Sequence, residues 1–411
     1  MNKLLDQLKS LGVELGAEKT EFKQREKLDL PALLGGEWLE TPYGRTLHIQ
    51  QDLELNAVQG KIPLQCTKIA SNVLELFNIS HVLEESTISP TRICFFDTET
   101  SGLNIGSGTF VFLSGFSHFM EDGSVRVDQF FLPHPSEEKA FIHAVQEFLT
   151  RYSILSSYNG KGFDVPMLRS RFILNEMEDV GLEKTHLDLL FLARSLWKRR
   201  LASCRLVEIE ESILHFSRSG QDVPGWLVPI LYQDYLREGK AEPLKDVLYH
   251  NAQDVISLAA LFNVIHAMLN DERETYNIEE TDDFASLGYL YEKLRKFDLS
   301  ASYFRTYFAE KGNNAAPEVL YDYDWMQRRQ ENWSEALTYW QRAASQAHYP
   351  SMIELAKYYE HQAKDLEQAL FWTKKVQDAG KIEQDMIVKD DIRKRKDRLD
   401  RKYGNKTNGR L

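Results

Sequence analysis

The chain has 411 residues, of which 43% are hydrophobic and 27% charged, and its formal net charge is −12. This length predicts two or three domains with ample chain for a core, and the composition is typical of a soluble globular protein. The negative charge argues against a protein that binds nucleic acid over its whole surface, but it is compatible with a local basic groove. No apolar run approaches the roughly 20 residues that span a bilayer, so we expect no membrane association.

Two further features bear on the compartment. Residues 1–20 interleave acids with apolar residues, a pattern unlike that of a secretory signal. The three cysteines, Cys66, Cys94 and Cys204, are far apart, which argues against a disulfide framework and against a zinc or iron–sulfur site. We therefore expect a cytoplasmic protein.

Residues 1–88 are predicted to form an N-terminal extension with short strands. Apolar residues recur at helical spacing over 2–15, and residues 35–49 are typical of two short strands joined by a turn. We expect a structural role for His48, because no cysteine, histidine or acid stands at ligand spacing from it.

Residues 89–268 are predicted to form an α/β unit with a mixed sheet. The turn chemistry of residues 121–124 indicates that the second and third strands form an antiparallel hairpin. This order of elements favours a mixed α/β sheet. The predicted elements are strands at 93–96, 110–119, 125–132 and 154–158, and helices at 136–149 and 164–175.

The remaining chain is predicted to contain an acidic linker (269–283), helical repeats (284–390) and a basic tail (391–411). Ala301, Ala336 and Ala369 occupy equivalent places in three similar segments, 35 and 33 residues apart. This period, with small residues where helices cross, resembles tetratricopeptide repeats, and an irregular helical bundle is the alternative. The tail could be an electrostatic tether to nucleic acid.

Two acids follow the first strand of the α/β unit one residue apart. Because side chains alternate along a strand, Asp97 and Glu99 point to the same side. Neighbouring carboxylates repel each other unless a cation lies between them, and hard oxygen ligands suit Mg²⁺ or Mn²⁺. An isolated pair of this kind more often marks a solvated acidic turn, so its interpretation depends on the downstream sequence.

A third acid and a histidine–aspartate pair lie downstream. Asp164 follows the fourth predicted strand at the start of a helix, where it is either a ligand or a helix N-cap. His250 and Asp254 are four residues apart and share one face of a predicted helix. A lone histidine on such a helix is more often structural, so these residues are informative only in combination.

The combination resembles the DEDD exonuclease superfamily. D-x-E at Asp97 and Glu99, N-x-x-x-F-D ending at Asp164, and H-N-x-x-D-V beginning at His250 occur in the order of that superfamily's motifs. With the repeats, the chain most resembles the YprB-like proteins of Gram-positive bacteria. The resemblance implies an α/β ribonuclease-H-like mixed sheet with flanking helices, followed by all-α tetratricopeptide-like repeats.

The resemblance also implies an activity. Asp97, Glu99, Asp164 and Asp254 would be catalytic residues that hold two divalent cations, Mg²⁺ or Mn²⁺. One cation would lower the pKa of a water molecule and the other would stabilise the departing 3′ oxygen, while His250 would orient or deprotonate the water. The implied protein is a metal-dependent 3′–5′ exonuclease of DNA or RNA, with a protein partner docked on its repeats.

The third motif departs from the patterns common in the superfamily. The histidine subfamily places its histidine five residues before the last aspartate, where this chain has Tyr249, and His250 occupies the register of the tyrosine subfamily. We favour His250 as the group that serves the water, because it stacks behind Asp254 on the helix. The departure keeps a second hypothesis open, a nucleic-acid-binding scaffold with a retired catalytic domain.

Several residues are candidates for contact with the substrate or the site. The residues implied to bind the 3′-terminal nucleotide are Thr98, Thr100, Gly102, Leu103 and Asn159. The residues that could line a phosphate groove, or else form a solvated helix face, are Arg169, Arg171, Lys198, Arg199, Arg200 and Arg205. His186 and Asp188 could offer another metal ligand, although we favour a role at the start of a helix.

Overall fold

The structure, a computed structural model, describes residues 28–70, 73, 87–102, 108–220, 222–270, 280–379 and 386–407. Its internal contacts divide the chain into two compact units, residues 1–194 with 203–278 and residues 195–202 with 279–411. The predicted N-terminal helix and most of the acidic linker lie outside the described residues.

The first unit is built on one mixed sheet. The strands are β1 (Glu37–Thr41), β2 (Gly44–Asp52), β3 (Val58–Gln59), β4 (Ile62–Pro63), β5 (Ile69–Ala70), β6 (Thr87–Ile88), β7 (Ile93–Thr100), β8 (Val111–Phe119), β9 (Val125–Phe131), β10 (Ile154–Ser157) and β11 (Thr185–Asp188). Seven of them form a sheet in the order β1-β2-β9-β8-β7-β10-β11. β7 is antiparallel to β8 and parallel to β10, which confirms the predicted mixed α/β class.

Helices flank this sheet and form the whole C-terminal region. They are α1 (Leu30–Leu34), α2 (Glu138–Thr150), α3 (Asp164–Leu174), α4 (Leu189–Trp197), α5 (Leu206–Ile209), α6 (Val228–Glu238), α7 (Leu244–Leu269), α8 (Thr281–Lys293), α9 (Phe297–Lys311), α10 (Pro317–Arg329), α11 (Trp333–Ser345), α12 (Tyr349–His361), α13 (Leu366–Asp378) and α14 (Met386–Thr407). A single π-helical turn, Glu210–Leu214, follows α5.

The predicted hairpin forms between β8 and β9. Gly123 adopts a positive φ of 86°, and the Asp122 carboxylate accepts a hydrogen bond from the backbone N–H of Ser124 at 2.9 Å. A carboxylate that bonds its own backbone two residues on is a local turn signal, which explains why the sequence predicts this feature.

The hairpin β1–β2 joins the same sheet, although the sequence assigned it to a separate extension. β2 pairs antiparallel with β9, so that Leu47 lies opposite Phe131, and Leu47 is fully buried. The local pattern indicates that residues 37–52 form strands, but their pairing partner lies about eighty positions away and leaves no local signal. The residues 28–70 therefore contribute to the core of the first unit.

The helix α7 lies in the core of the first unit. It contacts β7, β8 and β9, and Phe262 packs against Phe95 with ring centroids 5.6 Å apart. By length and composition α7 is also apolar enough to cross a membrane, but 89% of its most apolar window is buried within the protein. Such burial is typical of a central helix that packs against a sheet.

The C-terminal region is all-helical, as predicted. Successive helices pack against each other, α8 against α9, α10 against α11, and α12 against α13. The three alanines that mark the sequence period, Ala301, Ala336 and Ala369, are buried. The small side chains of the period thus lie in the interior of the helical region.

The described part of the basic tail belongs to the helix α14 (Met386–Thr407), which pairs with an acid of α12. Arg395 and Arg398 of α14 donate to Glu360 of α12 at 2.6–3.0 Å, and Lys402 lies 3.2 Å from the same carboxylate. Glu360 is buried, which raises its pKa, but the hydrogen bonds and charges of its basic partners outweigh burial and lower this pKa to about 2. Part of the predicted positive charge is therefore neutralised within the second unit.

His48 contributes to a buried polar cluster in the sheet. Its Nε2 lies 2.7 Å from Asp128 Oδ1, and His118 Nε2 lies 3.0 Å from Asp128 Oδ2. Burial raises the pKa of Asp128, but the hydrogen bonds from the two histidines outweigh it and lower this pKa to about 2. The carboxylate therefore links β2, β8 and β9.

We expect Asp128→Asn to lower the free energy of unfolding at pH 7 by about 2 kcal/mol. Because the pKa is lower in the folded than in the unfolded chain, the carboxylate stabilises the fold fully above about pH 4 and loses this effect as the pH falls towards 2. Urea-induced unfolding of both proteins at several pH values measures the difference. A deficit that is as large at pH 2 as at pH 7 would contradict the assigned role, and Asp52→Asn at an exposed ion pair is the control.

Candidate metal centre

Four acidic residues and a histidine come from three elements of the first unit. β7 carries Asp97 and Glu99, α3 begins with Asp164, and α7 carries His250 and Asp254. His250 Nε2 lies 3.8 Å from Glu99 Oε1 and 3.4 Å from Asp254 Oδ2. One ligand atom of each of these three residues lies within 4.8 Å of the other two, a spacing that can hold a cation.

Asp164 is directed at β7 rather than at its own helix. Phe163 occupies the N-cap of α3, so the N-cap alternative for Asp164 does not hold. Asp164 Oδ1 accepts hydrogen bonds from the backbone N–H of Thr98 at 3.1 Å and from the Thr98 hydroxyl at 2.5 Å. Thr98 lies between the two acids of β7, so this pair of bonds holds Asp164 beside them.

The carboxylates raise the pKa of one another. Burial raises the pKa of Asp97 and of Glu99 well above the ordinary value, and the charges of Asp254 and Asp164 raise both further. Burial also raises the pKa of Asp164 to about 6, against the hydrogen bonds from Thr98. Buried oxygen ligands with unfavourable mutual repulsion fit hard divalent cations, because a cation would offset that repulsion.

Asn251, which the sequence did not single out for a role, ties α7 to β7. Its Nδ2 donates to Asp97 Oδ2 at 3.0 Å, and its Oδ1 accepts from Gln129 Nε2 at 2.9 Å. Gly115 of β8 lies opposite Asp97 in the sheet, and a Cβ at this position would be 1.9 Å from Asn251 Oδ1. Only glycine therefore leaves room for this side chain to reach Asp97.

His250 faces the acids, whereas Tyr249 does not make a described contact with them. Tyr249 Oη lies 3.1 Å from the Ser219 hydroxyl. His250 Nδ1 lies 2.7 Å from Asp222 Oδ1, which leaves Nε2 directed at Glu99 and Asp254. The position of His250 agrees with the expected side of the helix, and its role in catalysis stays a prediction.

Three charged residues that the sequence did not reveal surround His250 and Asp254. They are Glu210, Arg218 and Asp222. Arg218 donates to an oxygen of Asp254 and, through Nε at 2.7 Å, to Glu210. These residues belong to the π-helical turn and the irregular segment after it, where no periodic spacing relates them.

Among the residues expected to bind the terminal nucleotide, two have hydroxyls engaged in hydrogen bonds within the protein and one is exposed. The Thr98 hydroxyl bonds Asp164, and the Thr100 hydroxyl donates to the Gly102 carbonyl at 2.7 Å, so neither hydroxyl points freely to solvent. Asn159 is exposed, with a positive φ of 67°, and its N–H donates to Asp188 at 2.8 Å. Leu103 lies outside the described residues.

Three of the six candidate phosphate ligands, Arg169, Arg171 and Arg200, are already paired with acids. Arg171 is 3% exposed and forms two hydrogen bonds with Glu138, so it does not line an open groove. Arg169 pairs with Asp179, and residues 198–200 belong to the second compact unit. Arg205 remains exposed. The sequence did not reveal the acidic partners of these arginines, because the partners come from other elements of the chain.

Asp188 and His186 support the loop beside the acids. Asp188 accepts from the backbone N–H of Asn159, Lys161 and Leu190, the last at the start of α4, as expected. His186 Nε2 lies 2.7 Å from the Ser157 hydroxyl, and burial lowers its pKa to about 4. Their contacts indicate positioning of the 159–161 loop.

Comparisons with known proteins place the site in context. A model of the RNase_H superfamily (RNase_H_2) matches residues 94–266, a range that includes all five residues of the candidate centre. The chain is 32% identical over 308 residues to the uncharacterized protein YprB of Bacillus subtilis (strain 168), covering 72% of this chain and 73% of YprB.

A solved structure is also similar to part of the chain. It is the family B DNA polymerase from the hyperthermophilic archaeon Pyrobaculum calidifontis, with a TM-score of 0.34 and 17% identity. The match covers 51% of this chain and 30% of the polymerase chain.

We expect Gly115→Ala to disrupt the centre, because the new methyl group would displace Asn251 from Asp97. Overpacking of this kind costs about 1–3 kcal/mol, and the displaced Asp97 would bind a cation less well. The rise in thermal unfolding temperature on addition of Mn²⁺ measures the effect. Gly404→Ala, where a Cβ meets open space, is the control. Equal Mn²⁺ responses of both variants and the wild type would contradict the role of Gly115.

We expect Asp97→Asn to stabilise the protein in the absence of metal, because the amide removes one charge from the repelling cluster and can still accept from Asn251. Each kcal/mol of relieved repulsion raises the unfolding temperature by about 2–4 °C. The same variant is expected to lose the stabilisation by Mn²⁺. Thermal unfolding at pH 8 with and without Mn²⁺ measures both effects, and Asp234→Asn at an exposed acid is the control. A variant that is less stable without metal would argue against repulsion at this site.

Proposed function

This chain belongs to the family of Bacillus subtilis YprB and contains an RNase_H superfamily domain, and on that premise we propose that it is a metal-dependent 3′–5′ exonuclease of DNA or RNA. The observation that carries the proposal is the convergence of Asp97, Glu99, Asp164 and Asp254 beside His250. Domains of this superfamily are often nucleases, and those nucleases use divalent cations. The four acids would bind such cations, whereas acids in a solvated turn would not.

The carboxylates of the four acids would hold two divalent cations, which when bound supply positive charge for an attacking water and for the departing oxygen. Asp97 and Glu99 lie on one side of β7, Asp164 is held by Thr98, and Asp254 is held by Arg218. Asn251 donates to Asp97, so three of the four carboxylates are oriented by a neighbour before any substrate binds, which favours preorganised catalysis.

His250 would accept a proton from the attacking water. We assign the proton of its neutral ring to Nδ1, because Nδ1 lies 2.7 Å from a carboxylate oxygen of Asp222. Nε2 then carries a lone pair on the side of Glu99 and Asp254. A histidine oriented by a carboxylate at its other nitrogen is suited to general base catalysis.

The substrate would reach the acids beside the 159–161 loop. Asn159, one of the expected nucleotide contacts, is exposed in this loop, and Gly102 lies two residues after the end of β7. The 3′–5′ direction rests on the order of the three motifs. The choice between DNA and RNA depends on recognition of the 2′-hydroxyl, which the assay below measures.

We propose that the C-terminal helices are tetratricopeptide-like repeats that dock a protein partner. The succession of helices that pack in sequential pairs, with buried alanines at the repeat period, supports this assignment. Repeats of this type present a continuous surface built from neighbouring hairpins, which suits recruitment rather than catalysis. We expect the nuclease activity itself to reside in the first unit.

We expect wild-type protein with Mn²⁺ to shorten a 5′-labelled single-stranded oligonucleotide stepwise from its 3′ end, and Asp97→Ala to lose at least about 100-fold of this activity. Parallel DNA and RNA substrates identify the preferred sugar. A 3′-phosphorylated oligonucleotide and a mononucleotide ester test whether a free 3′ end and a polymer are required.

Glu147→Ala, at an exposed acid of α2 whose ion-pair partner is His143, is the matched control for this assay. Equal activity of wild type and Asp97→Ala would indicate a contaminating nuclease and contradict the proposal. Absence of degradation by all proteins would favour the retired scaffold instead.

A further inference from the structure

Arg218 is a buried cation with an unusually complete set of acidic partners. Its side chain is 8% exposed. Nε and Nη2 donate to the two carboxylate oxygens of Glu210 at 2.7 and 2.8 Å, a bidentate arrangement. Nη2 also donates to Asp254, and Nη1 lies 3.1 Å from His250 Nδ1 and 3.5 Å from Asp222. The guanidinium therefore contacts both residues that α7 contributes to the candidate centre.

The two carboxylate oxygens of Asp254 have different partners. Oδ1 accepts from Arg218, whereas Oδ2 lies 3.4 Å from His250 Nε2, on the side of Glu99. A carboxylate with one oxygen held by a guanidinium cannot rotate freely. The second oxygen is therefore presented to the centre in one orientation.

The guanidinium of Arg218 is held in place by Glu210, which is itself hydrogen-bonded to its neighbours. Glu210 is fully buried, and its Oε1 accepts a hydrogen bond from the Ser257 hydroxyl at 2.6 Å. Gln59, on β3, donates to the same hydroxyl at 3.0 Å. If Arg218 withdrew, the buried charge of Glu210 would lose its partner, which is strongly unfavourable. This anchoring distinguishes Arg218 from a mobile cation that would leave when a metal binds.

We propose that Arg218 is a positioning residue that orients Asp254 for metal binding and catalysis, held in place by Glu210, Ser257 and Gln59. The inference rests on the proposed function, because it concerns the same centre. Residues that hydrogen-bond metal-binding carboxylates typically change metal affinity or activity 10–100-fold when substituted. Arg218 is suited to this task because its planar fork contacts two carboxylates at once, which a lysine cannot do.

The test measures Mn²⁺ binding to the full chain by the electron paramagnetic resonance signal of free Mn²⁺. We expect Arg218→Lys, which keeps the charge but loses the fork, to weaken Mn²⁺ binding about 10–100-fold. Arg218→Gln/Glu210→Gln removes both charges without leaving Glu210 unpaired, and it is expected to weaken binding as well. Arg126→Lys, at an ion pair with Asp52 elsewhere in the sheet, is the matched control.

Kinetics provide a second measurement. A positioning role predicts that kcat falls in both Arg218 variants at saturating Mn²⁺, while KM for the oligonucleotide is unchanged. Circular dichroism spectra and unfolding temperatures without metal verify that the variants fold. If Arg218→Lys does not fold, the double variant carries the test.

The outcomes separate this inference from the proposed function. Unchanged Mn²⁺ affinity in folded Arg218 variants would overturn the inference and leave the proposed function intact. Tighter binding in the double variant would also overturn it, because Arg218 would then compete with the metal. A wild-type protein that binds no Mn²⁺ would overturn both.

Discussion

The close packing of α7 against the β7–β8 ladder is the constraint on which the first unit depends. Gly115 has no side chain at the point where α7 crosses the sheet, and Asn251 fills that space to reach Asp97. The same packing of α7 on the sheet buries Phe95 against Phe262, which lies about three helical turns after Asn251 on α7. The apolar packing that stabilises the unit thus also determines the distance between the acids of β7 and those of α7.

This packing forces negative charge into the interior, which is unfavourable without compensation. The raised pKa values of Asp97, Glu99 and Asp164 reflect that cost. Arg218 pairs with both Glu210 and Asp254, so this one cation does not neutralise the acids around it. An uncompensated cluster of this kind is typical of functional sites, where stability is lost in favour of chemistry.

The N-terminal residues 28–70 take part in the same unit, although they precede the region that matches the superfamily model. β2 extends the sheet beyond β9, and Gly60 approaches the Leu214 carbonyl so closely that a Cβ would lie 2.2 Å from it. This contact places Gln59 against Ser257, behind Arg218. The segment is therefore part of the support of the candidate centre.

The sequence by itself determined the elements whose signals are local. The alternation around Asp97 and Glu99, the turn at Gly123, the four-residue spacing of His250 and Asp254 and the alanine period of the C-terminal helices each depend on residues close in the chain. Only the tertiary structure decided which side chains meet. It turned Asp164 towards Thr98, paired the supposed phosphate ligand Arg171 with Glu138, and brought Arg218 to Asp254. Periodicity identifies the face of a strand or helix, but a buried charge is satisfied by whichever partner the packing of distant elements brings within hydrogen-bonding distance.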